Sequence, residues 1–257
     1  MGSHIVGLLL DSGYQMTLWA RRQTSLEQFA GRAHTARDPA EVGRASDLVG
    51  ICVWDESDVD EVLLGEHGVL AGMRPGGVVA VHSTIAPAAC RRLAREAAVR
   101  GIGLVDAPVS FGANAPKLLV MLGGDPPVVE GARPVLGAFG SPVVHLGPVG
   151  SGQIAKIVNN TMLAATVGLG SDALALGADL GVDEGALLTV LAAGSAGGTW
   201  TRLLSSRLAD EAAAPSGRTH EWATKDVALA TELVTQARGD LDRDVLRLAA
   251  RGADALR

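Results

Sequence analysis

The chain has 257 residues and a formal net charge of -6 at pH 7; 47% of its residues are hydrophobic and only 3% are aromatic. This length allows one or two domains with sizeable cores, which must be built from Ala, Val, Leu and Ile. The charged residues form no basic stripe. We therefore expect no nucleic-acid partner, because neutralising phosphates requires clustered Lys and Arg.

The cysteine content and the apolar runs indicate the compartment. The cysteines, Cys52 and Cys90, lie in apolar or helical contexts and not at metal-ligand spacing. We expect a reduced, cytoplasmic protein with no bound metal. No signal-peptide pattern is evident, and no apolar run is expected to be long enough to cross a bilayer, so no membrane partner is predicted.

The first half of the chain is predicted to alternate between helices and strands. Residues 5–12 are apolar at helical spacing and end at Gly13, and residues 15–19 then form a strand. The further predicted elements are a polar helix after Arg22, a short segment at 33–35, a helix opening at Asp38, a strand at 48–53, a helix at 59–64, a strand at 77–82, a helix at 87–100, and strands at 102–105, 118–122 and 143–146. This alternation predicts an α/β fold with a doubly wound parallel sheet, in which ligands bind beyond the carboxyl ends of the strands.

The second half of the chain has a different pattern. A long apolar helix is predicted from about Gly152 to Leu180, and only helices and loops follow it. We therefore predict a dinucleotide-binding type of domain at 1–148 and an all-helical domain at 149–257, joined at a glycine-rich turn. The long helix and the alanine-rich second domain indicate a homodimer or homotetramer packed through helices.

Lys156 and Asn160 are the most informative polar residues of that long helix. They lie four residues apart, so their side chains project from the same helix face. Desolvation in this apolar run is expected to lower the pKa of Lys156 toward the range useful for proton transfer. Taken alone, such a lysine more often extends along a helix edge into solvent, and an asparagine is as often an interhelical contact.

Four local motifs, taken together, resemble the β-hydroxyacid dehydrogenase family, which includes 3-hydroxyisobutyrate dehydrogenases and tartronate semialdehyde reductases and, more distantly, 6-phosphogluconate dehydrogenase. The motifs are His82-Ser83-Thr84-Ile85-Ala86-Pro87, Asp106-Ala107-Pro108-Val109-Ser110 with Gly112, Gly150-x-Gly152-x-x-x-Lys156-x-x-Asn159-Asn160, and Lys225-Asp226. The resemblance covers nearly the whole chain. It implies a Rossmann-like sheet followed by a helical domain, and an NAD(P)-dependent oxidoreductase that acts on a small 3-hydroxy acid or its semialdehyde.

The resemblance also implies roles for individual residues. Lys156 would be the general acid/base and Asn160 would position the substrate, while Ser110 and the backbone of Gly112 would hold the substrate carboxylate. The implied cofactor-binding residues are Gly2, Val53, Trp54, Asp58, Thr84 and Lys225. Taken singly, Ser110 is more often a turn serine, Trp54 a packing residue and Thr84 a helix cap.

The sequence departs from the family pattern at two places. Gly2 corresponds to the third glycine of the dinucleotide motif, while the first strand and the two preceding glycines are absent. We expect that the reading frame starts at an internal methionine or that a segment was trimmed, and that two neighbouring strands are left unpaired. Phe111 stands where the family has a glycine, which is expected to narrow the carboxylate pocket.

The residues after the strand at 15–19 bear on the choice of cofactor. Arg21 and Arg22 favour a 2′-phosphate, so we predict NADP, with NAD as the alternative; two solvated surface arginines are the other interpretation. Two other functions stay open: an imine or ketone reductase of the same architecture, and a non-catalytic dimeric binding module. Imine-reducing relatives generally lack a lysine where this chain has Lys156, and a degenerate site has little reason to keep Lys156, Asn160 and Lys225.

Overall fold

The computed structural model describes residues 1–111, 116–209, 218–236 and 244–256. The chain divides into two compact units, Met1–Lys156 (unit 1) and Ile157–Arg257 (unit 2). The predicted boundary after residue 148 lies slightly earlier, in the turn before a long helix. The first residues of that helix belong to unit 1 because they hydrogen-bond to residues at the ends of its strands.

Unit 1 alternates helices and strands, as predicted. Its elements are α1 (Gly2–Asp11), β1 (Thr17–Leu18), β2 (His34–Thr35), α2 (Pro39–Ala45), β3 (Leu48–Ile51), α3 (Glu56–Leu64), α4 (Val69–Gly72), β4 (Val78–Val81), α5 (Pro87–Ala98), β5 (Gly103–Asp106), β6 (Val109–Phe111), β7 (Leu118–Gly123), α6 (Pro126–Phe139), β8 (Gly140–Gly147) and the start of α7 (Ser151–Asp179). The polar helix predicted after Arg22 is instead a pair of 3₁₀ turns, at Gln23–Ser25 and Glu27–Phe29.

Aspartates begin two of these helices. Asp38 precedes α2 and its side chain accepts a hydrogen bond from the Glu41 N–H, while Asp55 precedes α3 and accepts one from the Asp58 N–H. Each carboxylate satisfies a backbone donor that has no partner within the helix and lies at the positive end of the helix dipole. These caps set where the helices start after the loops that leave the sheet.

The strands of unit 1 form two sheets. β1 and β2 pair in parallel, and a six-stranded sheet has the order β3-β4-β5-β7-β6 with β8 paired to β7. β3, β4 and β5 are parallel and in register, which confirms the predicted arrangement, whereas β7 runs antiparallel to β5 and β6. β1 and β3 lie in different sheets and do not pair with each other. This agrees with the expectation that two neighbouring strands are left unpaired.

The larger sheet is covered on both faces. In β4, Val79 and Val81 belong to one buried cluster, with α3, α4 and α5, while Ala80 belongs to another, with α1 and α6. Since successive side chains of a strand point to opposite faces, the two clusters are the two layers of a doubly wound fold. The predicted fold class is confirmed.

Within its described residues, unit 2 consists of helices and the short turns that join them. It contains the rest of α7, followed by α8 (Glu184–Ala193), α9 (Thr199–Ala209), α10 (Arg218–Gln236) and α11 (Asp244–Asp254). Its buried apolar side chains come from all five helices and include Val167, Leu188, Leu204 and Ala223. The predicted all-helical second domain is therefore confirmed for these residues.

α7 corrects one expectation about apolar runs. It has 29 residues, and its most apolar 18-residue window has a mean hydropathy of 1.3, so by length and composition it could cross a bilayer. The expectation that no apolar run is long enough to cross a bilayer is therefore wrong for this helix. However, 44% of the window is buried inside the structure, and a buried core helix passes the same test, so α7 is weak evidence for a membrane span.

Candidate active site

The carboxyl ends of three parallel strands place the predicted site residues of unit 1 along one edge of the sheet. Ile51 of β3 pairs with Val81 of β4, and Val81 pairs with Asp106 of β5. The residues that follow these strands therefore leave the sheet side by side. Val53 and Thr84 are among them, at the edge where open α/β sheets bind ligands.

Ser83 connects the ends of β3 and β4. Its hydroxyl accepts a hydrogen bond from the Val53 N–H at 2.8 Å and donates one to the Val53 carbonyl at 2.9 Å. The side chain is buried, and both polar functions of the hydroxyl are used. The backbone of Val53, predicted to line the cofactor site, is thus held against the residue that precedes Thr84.

Gln153 connects the start of α7 to the same edge. Its side chain is fully buried; Nε2 donates to the Ser83 carbonyl at 2.8 Å, and Oε1 accepts from the Ile85 N–H at 3.2 Å. These two backbone groups stand on either side of Thr84. A single side-chain amide therefore binds both neighbours of Thr84, a residue that was predicted to bind the cofactor.

Asp106, the last residue of β5, caps the start of α7. Its buried carboxylate accepts hydrogen bonds from the Gly150 N–H at 2.7 Å and the Gln153 N–H at 2.8 Å. Burial raises the pKa of the Asp106 carboxyl, and the backbone N–H donors oppose that shift. A side-chain atom on Gly152 would lie 2.9 Å from Asp106 Oδ2, so glycine is required for this close approach.

Lys156 lies on α7 three residues after Gln153, where it is 9% exposed. It is the last residue of unit 1. The helix that carries it is thus anchored by Asp106 and Gln153 less than one turn away. The predicted acid/base residue is buried on a segment whose position relative to the strand ends is fixed by hydrogen bonds.

In unit 2, Asn160 belongs to a buried polar cluster. Its Nδ2 donates to Asp226 Oδ2 at 2.5 Å, and its Oδ1 accepts from Asn159 Nδ2 at 3.0 Å. Lys225 Nζ lies 3.5 Å from Asp226 Oδ1. Asp226, the second residue of the Lys225-Asp226 motif, is only 2% exposed; it holds Asn160 and lies beside Lys225.

Arg21 is engaged by two carboxylates. Its guanidinium lies 2.7 Å from Asp58 Oδ1 and 2.9 Å from Glu61 Oε2, and these partners raise its pKa. Asp58 Oδ2 also accepts a hydrogen bond from the Trp54 N–H at 3.3 Å. Three residues predicted to bind the cofactor are therefore joined to one another, while the predicted partner Arg22 is exposed.

The remaining predicted residues lie on α1 and β6. Gly2 is the first residue of α1, and a side-chain atom there would make only an ordinary contact, 3.6 Å from Cys52 Cβ. Ser110 is half-buried in β6, where it pairs with Leu119 of β7. Gly112 lies outside the described residues. The exposed Phe111, predicted to narrow the pocket, contacts the His4 ring with a centroid separation of 5.7 Å.

His82 is a buried neutral group at the same sheet edge. Its Nδ1 lies 2.7 Å from the Ala107 carbonyl, and its ring meets the Phe139 ring edge-on at 5.5 Å. Burial lowers the pKa of His82, while the bond to the carbonyl opposes the shift. The side chain thus ties the end of β4 to the residue after β5 in its uncharged form.

Gln153 and the structural role of Ser83 were not predicted from the sequence. Both lie inside quoted motifs, and Gln153 is a polar residue among glycine, alanine and isoleucine on an apolar helix. When such a residue is buried, both the NH₂ group and the carbonyl oxygen of its side-chain amide need hydrogen-bond partners. A glutamine on an apolar helix is therefore a sequence signal from which a contact with another element could have been predicted.

Comparisons with known proteins cover both units. Residues 1–147 match the family model described as the NAD binding domain of 6-phosphogluconate dehydrogenase. Residues 150–249 match the model described as NAD-binding of NADP-dependent 3-hydroxyisobutyrate dehydrogenase. Each matched range lies within one of the two predicted domains.

Two curated relatives illustrate the similarity. The chain is 36% identical over 238 residues to the probable 3-hydroxyisobutyrate dehydrogenase-like 2, mitochondrial, of Arabidopsis thaliana, covering 90% of this chain and 78% of that protein. It is 35% identical over 204 residues to the NAD-dependent L-serine dehydrogenase of Pseudomonas aeruginosa, covering 78% of this chain and 68% of that protein. Both relatives are oxidoreductases.

Solved structures show the same fold. The 3-hydroxyisobutyrate dehydrogenase of Mycobacterium tuberculosis, determined with L-serine, has a TM-score of 0.76 at 25% identity and covers 99% of this chain and 88% of that chain. A Streptomyces aurantiacus imine reductase has a TM-score of 0.68 at 20% identity and covers 99% and 91% of the two chains. The latter likeness shows a shared fold.

Proposed function

Because the chain belongs to the β-hydroxyacid dehydrogenase family, a family of NAD(P)-dependent oxidoreductases, we propose that it interconverts a small 3-hydroxy acid and its semialdehyde, with Lys156 as the general acid/base. The observation that carries the proposal is the placement of Lys156. It is buried, and it lies on the turn of α7 that Asp106 and Gln153 bind to the carboxyl edge of the sheet.

The described residues of unit 1 fit a dinucleotide cofactor. α1 starts at Gly2 with no side-chain cap and no acidic residue in its first turn, so the positive end of the helix dipole suits a phosphate group. Arg21 and Arg22 supply cationic groups after β1. When bound, the nicotinamide ring exchanges a hydride with the substrate carbon.

Lys156 supplies the proton chemistry in both directions. In oxidation, its neutral amine accepts the proton of the substrate hydroxyl as the hydride leaves the carbon that bears this oxygen. In reduction, its ammonium donates a proton to the carbonyl oxygen. The burial of Lys156 excludes bulk water from this exchange, and general acid–base catalysis of this kind contributes about 10²- to 10⁴-fold.

For the substrate, we propose a small carboxylate with a hydroxyl group on the β-carbon, such as L-serine or 3-hydroxyisobutyrate. The names of the relatives support this class. The substrate carboxylate is assigned to Ser110 and the positioning hydrogen bond to Asn160. We propose NADP as the preferred cofactor, since the four residues after β1 include two arginines and no acidic residue.

The test is an assay of NADP⁺ and NAD⁺ reduction with L-serine and 3-hydroxyisobutyrate. Turnover is expected for the wild-type chain, and Lys156→Met is expected to lower kcat at least 10²-fold while the affinity for NADPH stays unchanged. Lys117→Met is the matched control, because Lys117 donates to the Gly137 carbonyl, and it should retain activity. Equal losses of NADPH binding and turnover in Lys156→Met would contradict the acid/base role.

The alternative functions predict different results in the same assay. A non-catalytic binding module would turn over neither substrate in either direction. An imine or ketone reductase would oxidise NADPH with a cyclic imine or a ketone and leave hydroxy acids unchanged. Turnover of a hydroxy acid that depends on Lys156 excludes both alternatives.

A further inference from the structure

Gln153 is bound at both its backbone and its side chain. Its N–H donates to Asp106 Oδ2 at 2.8 Å, so the start of α7 is held at the end of β5. Its side-chain amide binds the Ser83 carbonyl at 2.8 Å and the Ile85 N–H at 3.2 Å, so the same residue holds the loop after β4. It is fully buried, and no water competes for these bonds.

These bonds join two residues with different predicted tasks. Thr84 lies between the two backbone groups that Gln153 binds, and Lys156 follows Gln153 by three residues on the same helix. Three residues of α-helix advance about 4.5 Å along the axis, so a short rigid segment connects the two. A displacement of the Gln153 side chain would therefore change the separation between Thr84 and Lys156.

The chemistry of the side chain is specific to this task. The Ser83 carbonyl needs a donor and the Ile85 N–H needs an acceptor, which a glutamine amide supplies together. Glutamate keeps the acceptor and loses the donor, methionine keeps the length and loses both, and asparagine is one methylene too short. Of these three replacements, only glutamate keeps the hydrogen bond from the Ile85 N–H.

We propose that Gln153 is a positioning residue that sets the separation between Thr84, which would contact the nicotinamide cofactor, and the proton-transfer amine of Lys156. This inference rests on the proposed function. Hydride and proton leave one substrate carbon and its oxygen, so both acceptors must stand at reacting distance together. A misplacement of about 1 Å is sufficient to cost about 10²-fold in rate.

The first experiment needs no cofactor. Amide hydrogen exchange at Ile85 in the cofactor-free protein reports whether the Gln153 bond is present. Gln153→Met is expected to expose the Ile85 amide to exchange, and Gln153→Glu is expected to leave it protected. Equal protection of the Ile85 amide in the wild type and in Gln153→Met would overturn the assignment of this contact.

The second experiment measures turnover in the same variants. For Gln153→Met we expect kcat to fall about 10- to 100-fold, the Kd for NADPH to change less than about threefold, and the primary deuterium isotope effect on kcat to rise, because chemistry becomes rate-limiting. Gln153→Glu should lie between the wild type and Gln153→Met. The exposed Gln236→Met is the control and should match the wild type.

The outcomes separate this inference from the proposed function. A wild type that turns over hydroxy acids, together with a folded Gln153→Met that has unchanged kcat and isotope effect, would overturn the positioning role and leave the proposed function standing. A lower melting temperature with unchanged kcat per folded molecule would mark Gln153 as structural only. A wild type that turns over no hydroxy acid would overturn both.

Discussion

The two ends of α7 are held by different kinds of contact. In unit 1, backbone N–H groups at the start of the helix donate hydrogen bonds to the Asp106 carboxylate, and the Gln153 side chain donates one to the loop after β4. In unit 2, the same helix approaches α11 through small residues: a side-chain atom on Gly168 would overlap the Leu248 backbone, and one on Gly252 would overlap the Ala164 backbone.

The difference shows how one helix can be held by hydrogen bonds in one unit and by close packing in the other. Hydrogen bonds depend on distance and angle, so they fix the rotation and axial position of the turn that carries Lys156. Contacts between small residues allow close approach and place no functional group. α7 also makes polar contacts in unit 2, where Asn160 binds the buried Asp226 and Asp172 pairs with Arg251 at the surface.

Gly152→Ala is expected to have the largest effect on stability. A methyl group there would overlap the Met121 carbonyl and lie 2.9 Å from Asp106 Oδ2, so the start of α7 must shift. We expect a loss of about 3 kcal/mol in the free energy of unfolding, measured by urea denaturation. Gly131→Ala in α6, where nothing lies within 4 Å, is the matched control and should be neutral or slightly stabilising.

If Gly152→Ala and Gly131→Ala had equal unfolding free energies, the close approach of α7 to Asp106 would be wrong. The start of α7 would then not be held close to the end of β5 by the Asp106 hydrogen bonds. Both substitutions add one methyl group to a helix, so their intrinsic propensity gains cancel.

Asp226→Ala breaks the buried pair of unit 2. It leaves Asn160 Nδ2 without its carboxylate partner, which we expect to cost about 2 kcal/mol and to raise the KM for the hydroxy acid. Asp172→Ala is the control, since Asp172 pairs with Arg251 at the surface and should cost less than about 1 kcal/mol. Similar losses in the free energy of unfolding for the two variants would contradict a larger contribution from the buried contact between Asn160 and Asp226.

The stability of unit 1 is expected to fall in mild acid because of His82. Burial lowers the pKa of folded His82 below its ordinary value of 6.5, so below pH 6.5 the unfolded chain binds more protons and acidification favours unfolding. Between pH 7 and pH 5.5 we expect the free energy of unfolding to fall, and we expect His82→Asn to remove this fall. The exposed His67→Asn should keep the fall, and a pH dependence unchanged by His82→Asn would refute the buried neutral form.

Glu61→Gln is expected to have the smallest effect. Removing this carboxylate leaves Arg21 paired with Asp58 and makes the surroundings of the proposed 2′-phosphate site less negative. We expect the preference for NADPH over NADH to rise about two- to fivefold, because exposed ion pairs are weak. Glu66→Gln, also exposed, should leave the preference unchanged, and a fall in Glu61→Gln would contradict the role of Arg21.

The sequence predicted the parallel strands and the long helix because their apolar periodicity is strong. α6 was not predicted, since Pro126, Pro127 and Pro134 stand within it; the first two occupy positions where proline is tolerated. The antiparallel direction of β7 was also missed, because alternation of apolar residues does not encode strand direction.

The sequence motifs identify candidate site residues, but they do not identify the residues that hold these in place. Lys156 and Asn160 could be chosen from spacing and resemblance, but their supports could not. Gln153 binds Ser83 and Ile85 across about 70 positions of sequence, and Asp226 binds Asn160 across 66. Such partners are set by how elements pack, which local patterns do not show.

The most direct test of the account is a fluorescence titration of the 257-residue chain with NADPH, with NADH in parallel. We expect the wild type to bind NADPH saturably and more tightly than NADH. Lys156→Met is expected to have the same Kd for NADPH as the wild type. A folded protein that binds neither nucleotide would contradict the assignment of the strand ends of unit 1 as a cofactor site.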